Sequence, residues 1–365
     1  MVDVVELTLA SVLYNSTSSS FSEEKEEAIV TPLEDSSSSS LGEVAYSALR
    51  TCFFPWLHER RNAREQKRVQ ASKTNAALSA GRRDSMVVVQ GDVLAWGRRN
   101  GHGAARPVQG LQEVVAVAAG GEHALALQAD GSIVCWGSNE FGQAPPEGVS
   151  GNFVAIAAGE CHSLAVRRDG GVTCWGENEF GQAPPKGVDG DFVAVAAGHR
   201  HSIALRRDGG ISCWGSNEDG QAPPDGVDGD FVAIAAGMCH SLAIRHRDGG
   251  ISCWGRNREG QAPPEGVDGT FVAIAAGGGH SLALRHRSAG GGVVCWGWNK
   301  HGQAPPESVT GDFVAIAASR DGWLDASTRW RTFAGAGHSL ALERSGITVA
   351  FGCDMDGQCS NAPPL

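Results

Sequence analysis

From Asn75 onward the chain alternates short apolar runs, rich in Val, Ile, Leu and Ala, with glycines and polar pairs. The apolar positions do not recur at the three- and four-residue spacing of an amphipathic helix, so the runs read as strands. Around residue 160 the strands fall at Val154 to Ala158, Ser163 to Arg167 and Val172 to Trp175. Asp-Gly pairs at Asp130-Gly131, Asp169-Gly170, Asp208-Gly209 and Asp248-Gly249 separate second from third strands, where a tight hairpin needs positive φ. The Gly-Gln-Ala-Pro-Pro that follows cannot be a central strand, because two prolines remove ladder donors. It reads as the crossing to the next group of three.

That group repeats. Phe-Val-Ala-Ile-Ala-Ala-Gly begins at Phe153, Phe231 and Phe271, with close copies at Val114, Phe192 and Phe313 and an opening variant at Asn75. Each copy leads to His-Ser-Leu-Ala-Leu or a near relative, a turn, and then Cys-Trp-Gly-x-Asn-x-x-Gly-Gln-Ala-Pro-Pro. The tryptophan column runs Trp96, Trp136, Trp175, Trp214, Trp254, Trp296, with Phe351 in seventh place, which defines seven units over 75–365. One three-stranded sheet buries too few side chains to offset the entropy of ordering it, so neighbouring units must complete its core. Period-2 alternation puts Ala155, Ala157 and Gly159 on one face, small enough to admit a tryptophan of the next sheet. Seven such sheets closing radially make an all-β propeller.

Composition and charge agree with repetition and exclude some functions. Glycine supplies 50 of 365 residues, about twice its usual share, which argues against long helices. A net charge of -11 argues against a surface that coats nucleic acid, and direct nucleic-acid binding by the propeller is not expected. No run reaches the 18 or so apolar residues of a membrane span, and Asp3 and Glu6 stand where a secretory leader would be basic. Residues 1–74 differ in kind: serine runs and the Glu23-Glu24-Lys25-Glu26-Glu27 cluster predict disorder up to about residue 40. From Pro55 to Arg68 a basic linker helix is expected, either a solvated connection or an import or anionic-surface element.

The repeated Val-Ala-x-Ala-Ala-Gly-x-x-His-Ser-Leu-Ala-Leu, Asp-Gly and Trp-Gly-x-Asn-x-x-Gly-Gln strings resemble the regulator of chromosome condensation repeat. The resemblance spans 75–365 and implies a seven-bladed propeller. The short period is similar to the secreted propeller that inhibits beta-lactamases. The Cys-Trp-Gly and Pro-Pro elements resemble crinkly-type receptor kinase ectodomains, although the second blade cysteine of those repeats is absent here. Family members exchange nucleotide on Ran, inhibit enzymes, sense light or scaffold ubiquitin ligases, so the fold does not decide the function. The light sensor's Gly-Trp-Arg-His-Thr motif is missing.

The repeated columns invite chemistry and each has a plainer reading. His123, His162, His201, His240, His280 and His338 recur once per unit, with Asp84 in the first. Spread round a ring they cannot share a metal, and a bond to neighbouring backbone is the expected role. Cys135, Cys174, Cys213, Cys253 and Cys295 lie too far apart to pair and read as buried hydrophobes in a reducing compartment. Only Cys353 and Cys359 stand close enough in sequence to pair. No phosphate-cradling loop, nucleophile pair or paired carboxylate appears, so no catalytic residue, cofactor or metal is expected.

The units differ in two places: the pair before each histidine, and the loop after each Trp-Gly. These positions are free to read a partner. The candidate partner-binding residues are Arg98, Arg99, Glu140, Phe141, Glu179, Phe180, Arg200, Arg256, Arg258, Trp298, Lys300 and His301. They give an acidic arc with two exposed phenylalanines in units two to four, and a basic arc with one tryptophan in units five and six. The expected function is a monomeric, non-catalytic protein-binding propeller of cytoplasm or nucleus. Two alternatives stand beside it: an exchange factor for a Ran-type small GTPase, and a secreted inhibitor or receptor-ectodomain-like module. The last unit carries 16 extra residues, Ser319 to Ala334. Removing them restores the repeat, so the block is either a real recognition loop or translated intron.

Overall fold

The computed structural model describes residues 78–82, 84–89, 91–97, 111, 113–319, 337–353 and 359–360. The expected N-terminal tail and linker helix, Arg98, Arg99 and all of the 16-residue block except Ser319 lie outside the described residues. Seven antiparallel sheets follow one another, each of three strands in sequence order. They are β1–β3 (Leu78–Ala80, Asp84–Val89, Asp92–Gly97), β4–β6 (Val114–Ala119, His123–Gln128, Ile133–Gly137) and β7–β9 (Phe153–Ala158, His162–Arg167, Val172–Gly176). Then come β10–β12 (Phe192–Ala197, His201–Arg206, Ile211–Gly215) and β13–β15 (Phe231–Ala236, His240–Arg245, Ile251–Gly255). The last are β16–β18 (Phe271–Ala276, His280–Arg285, Val293–Gly297) and β19–β21 (Phe313–Ala318, His338–Glu343, Thr348–Gly352). Among the described residues no helix is long and apolar enough to cross a membrane.

Local chemistry sets each sheet. Gly131, Gly170, Gly209 and Gly249 all take positive φ in the second hairpin. Asp169, Asp208 and Asp248 accept the backbone N–H of Gly171, Gly210 and Gly250, which closes the turn. In blades two to six the proline-bearing crossing runs back along the third strand and touches it at one bridge, Val172 to Val188 for example. In the first strand the residue after the phenylalanine is an extra one: Phe153 pairs with Arg167 and Ala155 with Val166, leaving Val154 as a bulge.

The sheets close into a ring. Ala155 and Ala157 pack in one core with Trp214 of the next blade, as their size suggests. Blade seven and blade one share a core of Leu340, Leu342 and Ala317 with Ala80, Val87 and Trp96. First strands of all seven blades line one axial channel, from Leu78 to Ala80 round to Ile316 to Ala318. The structure is a seven-bladed propeller, with each blade a contiguous stretch of chain.

Candidate functional site

Six of the seven seams between blades are tied by a histidine of one blade and a serine of the next. The histidine opening a second strand reaches the serine of the next blade: His123 to Ser163, His162 to Ser202, His201 to Ser241, His240 to Ser281 and His280 to Ser339, at 2.9 to 3.0 Å. Those serine hydroxyls donate to the carbonyls of Gln143, Gln182, Gln221, Gln261 and Gln303, so the histidine Nε2–H must be the donor. The same carbonyls of Gln143, Gln182, Gln221 and Gln261 accept the indole N–H of Trp175, Trp214, Trp254 and Trp296. His338 meets Ser85 at 2.9 Å and closes the ring. The expected partner of the histidine, a backbone group, is thus a serine hydroxyl that relays to backbone.

One further repeat residue, the glycine three before each histidine from His123 to His280, serves the seam. A Cβ on Gly198 would stand 2.2 Å from His201 Cε1 and 2.6 Å from the Gly237 carbonyl, so only glycine lets the ring lie there. Burial pushes His240 down to about 3, helped by His201 and His280, and burial alone pushes His280 to about 4. These imidazoles are neutral at physiological pH. The strand cysteines are buried or half-buried free thiols, with burial raising Cys174 and Cys295 to about 12. Cys353 and Cys359 are both free thiols, and Cys359 Sγ donates to the Cys353 carbonyl at 3.3 Å.

Both variable sets converge on one end of the propeller, here called upper, where first and third strands finish. The amide after Trp-Gly donates to the carbonyl before the histidine: Ser138 to Glu122, Glu177 to Cys161, Ser216 to Arg200 and Arg256 to Cys239. Below them the Asn-x-x-Gly-Gln loop bonds to itself. Asn178 Oδ1 accepts the Ala183 amide and Gln182 Oε1 the Phe180 amide, which frees the intervening side chains to vary.

Among the candidates, Glu140, Glu179, Arg258, Lys300 and His301 are exposed, and Phe141 is 51 % exposed. Phe180 is half-buried, with the Arg200 guanidinium 4.5 Å above its ring. Arg256 lies half-buried beside the Cys239 thiol, and exposed Glu259 interrupts the basic arc. Trp298 differs from the other candidates in its burial. It is only 7 % exposed, and its Cβ lies beside Gly279. The indole settles into the blade with His301 edge-on at 5.4 Å, so it supports the loop and does not present itself.

One upper-end contact was not anticipated. Arg82 of blade one pairs with Glu160 of blade three at 3.4 Å, each side chain 16 % exposed, across the intervening Gly121. A Cβ at Gly121 would fall 2.8 to 2.9 Å from the Glu160 carboxylate, so the glycine admits the clasp. Burial, followed by Glu179 and Glu160, raises Glu177, while Arg200 opposes the rise.

A family model for the regulator of chromosome condensation (RCC1) repeat matches residues 114–143, 153–182, 192–221 and 231–261. Blades two to five are RCC1 repeats. Its fold is similar to the crinkly ectodomain of the receptor kinase ACR4 from Arabidopsis thaliana, with TM-score 0.60 and 21 % identity over 80 % of this chain and 98 % of that one. It is also similar to Prp20p of Saccharomyces cerevisiae, with TM-score 0.57 and 20 % identity over 79 % and 84 %, a protein studied for binding Gsp1p and histones. Human WBSCR16 follows at TM-score 0.54 and 19 % identity over 67 % and 84 %. No curated protein matches the sequence.

Proposed function

We propose that this RCC1-repeat protein is a non-catalytic binding propeller that recognises a protein partner with its upper end. The observation that carries this reading is the convergence there of both sets of positions at which the blades differ. In blades two to six the loop around those positions repeats the same asparagine and glutamine bonds. Phe141, the Phe180–Arg200 stack and the Arg82–Glu160 clasp supply the aromatic and charged groups that anchor interfaces. The acidic arc through Glu140 and Glu179 faces a basic arc of Arg256, Arg258 and Lys300, which orients a partner of opposite polarity. Free buried thiols support work in the cytoplasm or nucleus.

Affinity capture with the full chain, compared with a Phe141→Ser, Arg258→Ala, Lys300→Ala variant, tests this reading. Specific partners should be lost from the variant while its melting curve stays unchanged; partners captured equally by both chains overturn it. A second reading, nucleotide exchange on a Ran-type GTPase, draws on the likeness to Prp20p. Stimulated nucleotide release from a panel of small GTPases would establish it, and no release would leave the binding reading in place. The ectodomain-like alternative predicts disulfides on non-reducing gels of the native protein.

A further inference from the structure

The residue after Trp-Gly is serine in blades two and four, and there it serves its own loop. Gln143 Nε2 donates to Ser138 Oγ at 3.4 Å, and Gln221 Nε2 to Ser216 Oγ at 3.5 Å. Blades three and five place Glu177 and Arg256 at that position, and the internal bond is lost. Held through its Oε1 as Gln143 and Gln221 are, the fully buried Gln182 amide faces the Glu177 position, yet its Nε2 has no acceptor. Gln261 is 2 % exposed, accepts the Glu259 amide at its Oε1, and has no acceptor for its Nε2 among the described residues.

Neither charge is compensated within the chain. Glu177 is half-buried and makes no side-chain hydrogen bond or ion pair among the described residues. Burial holds its carboxyl above the usual range, although Arg200 opposes this. The nearby opposite charges are engaged elsewhere: Arg82 pairs with Glu160, and Arg200 lies over Phe180. Arg256 is half-buried too, and no carboxylate of the described residues stands within ion-pair distance of it. It lines a small cavity with Gln261, Cys239 and Glu259, and Gly278 and Gly279 of the next blade bring no side chain to fill it. In blade six the buried Trp298 fills the position and also leaves Gln303 without an acceptor, so the lost bond alone does not ask for a partner. The unpaired charge does. Each costs free energy that serine at the same position would not, and the chain recovers none of it internally.

We propose that Glu177 and Arg256 are paired sockets for one protein partner, Glu177 receiving a lysine or arginine side chain and Arg256 an aspartate or glutamate. Both lie on the upper end, two blades apart, with a self-satisfied serine loop between them. The free Gln261 amide adds a second donor for the carboxylate that Arg256 holds. The proposal rests on the upper end being the recognition face and names the partner's chemistry there.

An array of random-sequence peptides probed with the full chain tests it. The wild type should select peptides that carry both a basic and an acidic residue. Glu177→Ser should lose the preference for the basic residue and keep the acidic one, and Arg256→Ser should do the reverse. The apparent Kd of the selected peptides should rise at least about tenfold in each variant. Both variants reproduce the loops of blades two and four, so each should melt about 2 °C or more above the wild type. Variants that melt lower would make the two charges structural and overturn the proposal. So would an array with no selected peptide. If Phe141→Ser, Arg258→Ala, Lys300→Ala loses the selected peptides while the two serine variants keep them, the sockets fail and the upper-end reading stands. If all three variants keep them, both fail.

Discussion

The seams between blades and the loops of the upper end are encoded by the same repeat, and they diverge for a physical reason. A seam histidine lies between its own glycine, the next blade's serine and a glutamine carbonyl, so three parts of the repeat constrain one another. A loop residue such as Glu140 or Lys300 is exposed, and the bonds that shape its loop do not pass through its side chain. Seams therefore recur almost unchanged and loops drift apart. The informative exception is the seam between blades one and two. There Asp84 stands at the histidine position and Ala124 at the serine position, so both members of the pair are replaced together.

The strongest challenge to this contrast is to break two adjacent seams. His201→Ala with His240→Ala leaves two buried serines short of a donor and two cavities, a loss of about 3 kcal/mol each. Chemical denaturation should show a total loss near that sum, whereas replacing Arg258 and Lys300 should change stability by less than about 0.5 kcal/mol. Comparable losses from the two sets would end the distinction.

Acid should find the seams next. His240 and His280 are held below their ordinary value of 6.5, to about 3 and about 4, so the unfolded chain takes up their protons first. Stability is then full above pH 6.5 and falls with pH from there toward about 3 to 4, by about 1.4 kcal/mol per pH unit for each histidine. Urea titrations at stepped pH should show the decline, and His240→Gln should flatten it. A transition midpoint independent of pH between 6.5 and 4 would contradict the burial argument.

The remaining expectations are smaller. Asp84→His with Ala124→Ser should supply the missing seam and raise stability by about 1 kcal/mol, and neither change alone should do so. Thermal melts of the four chains in a double-mutant cycle measure it. Deleting Ser319 to Ala334 should leave stability equal or slightly higher. Ala318 pairs with Ser339 in the same register as Ala158 with Ser163, so the hairpin closes on either side of the block. A deletion chain that does not fold would refute that alignment, and transcript sequencing distinguishes loop from intron.

Much of the architecture was legible beforehand because the repeat displays each constraint seven times. Strand limits agree to within a residue or so: Val154 to Ala158 was expected and Phe153–Ala158 is found. The glycine at each Asp-Gly hairpin could be assigned a conformation from its neighbours alone. The histidine's partner could not, since Ser163 lies 40 residues beyond His123 and only ring closure brings them together. Trp298 read as a candidate anchor by its loop position and residue type, and the neighbouring Gly278-Gly279 gave no hint that the indole would turn inward.

The sequence by itself determined the number of blades, the strands and turns within each, and the columns that must be alike, because those follow from local periodicity and backbone sterics. Tertiary structure alone decided which side chains meet across seams, which loops share an end, and which of two similar apolar residues is buried. In Phe-Val-Ala-Ile-Ala-Ala the pattern looks uniformly internal, yet a bulge rotates Val154 to solvent while Phe153 stays 5 % exposed. A one-residue change of register reverses the face of a strand, and that register is set by the partner strand, not by the segment's own composition.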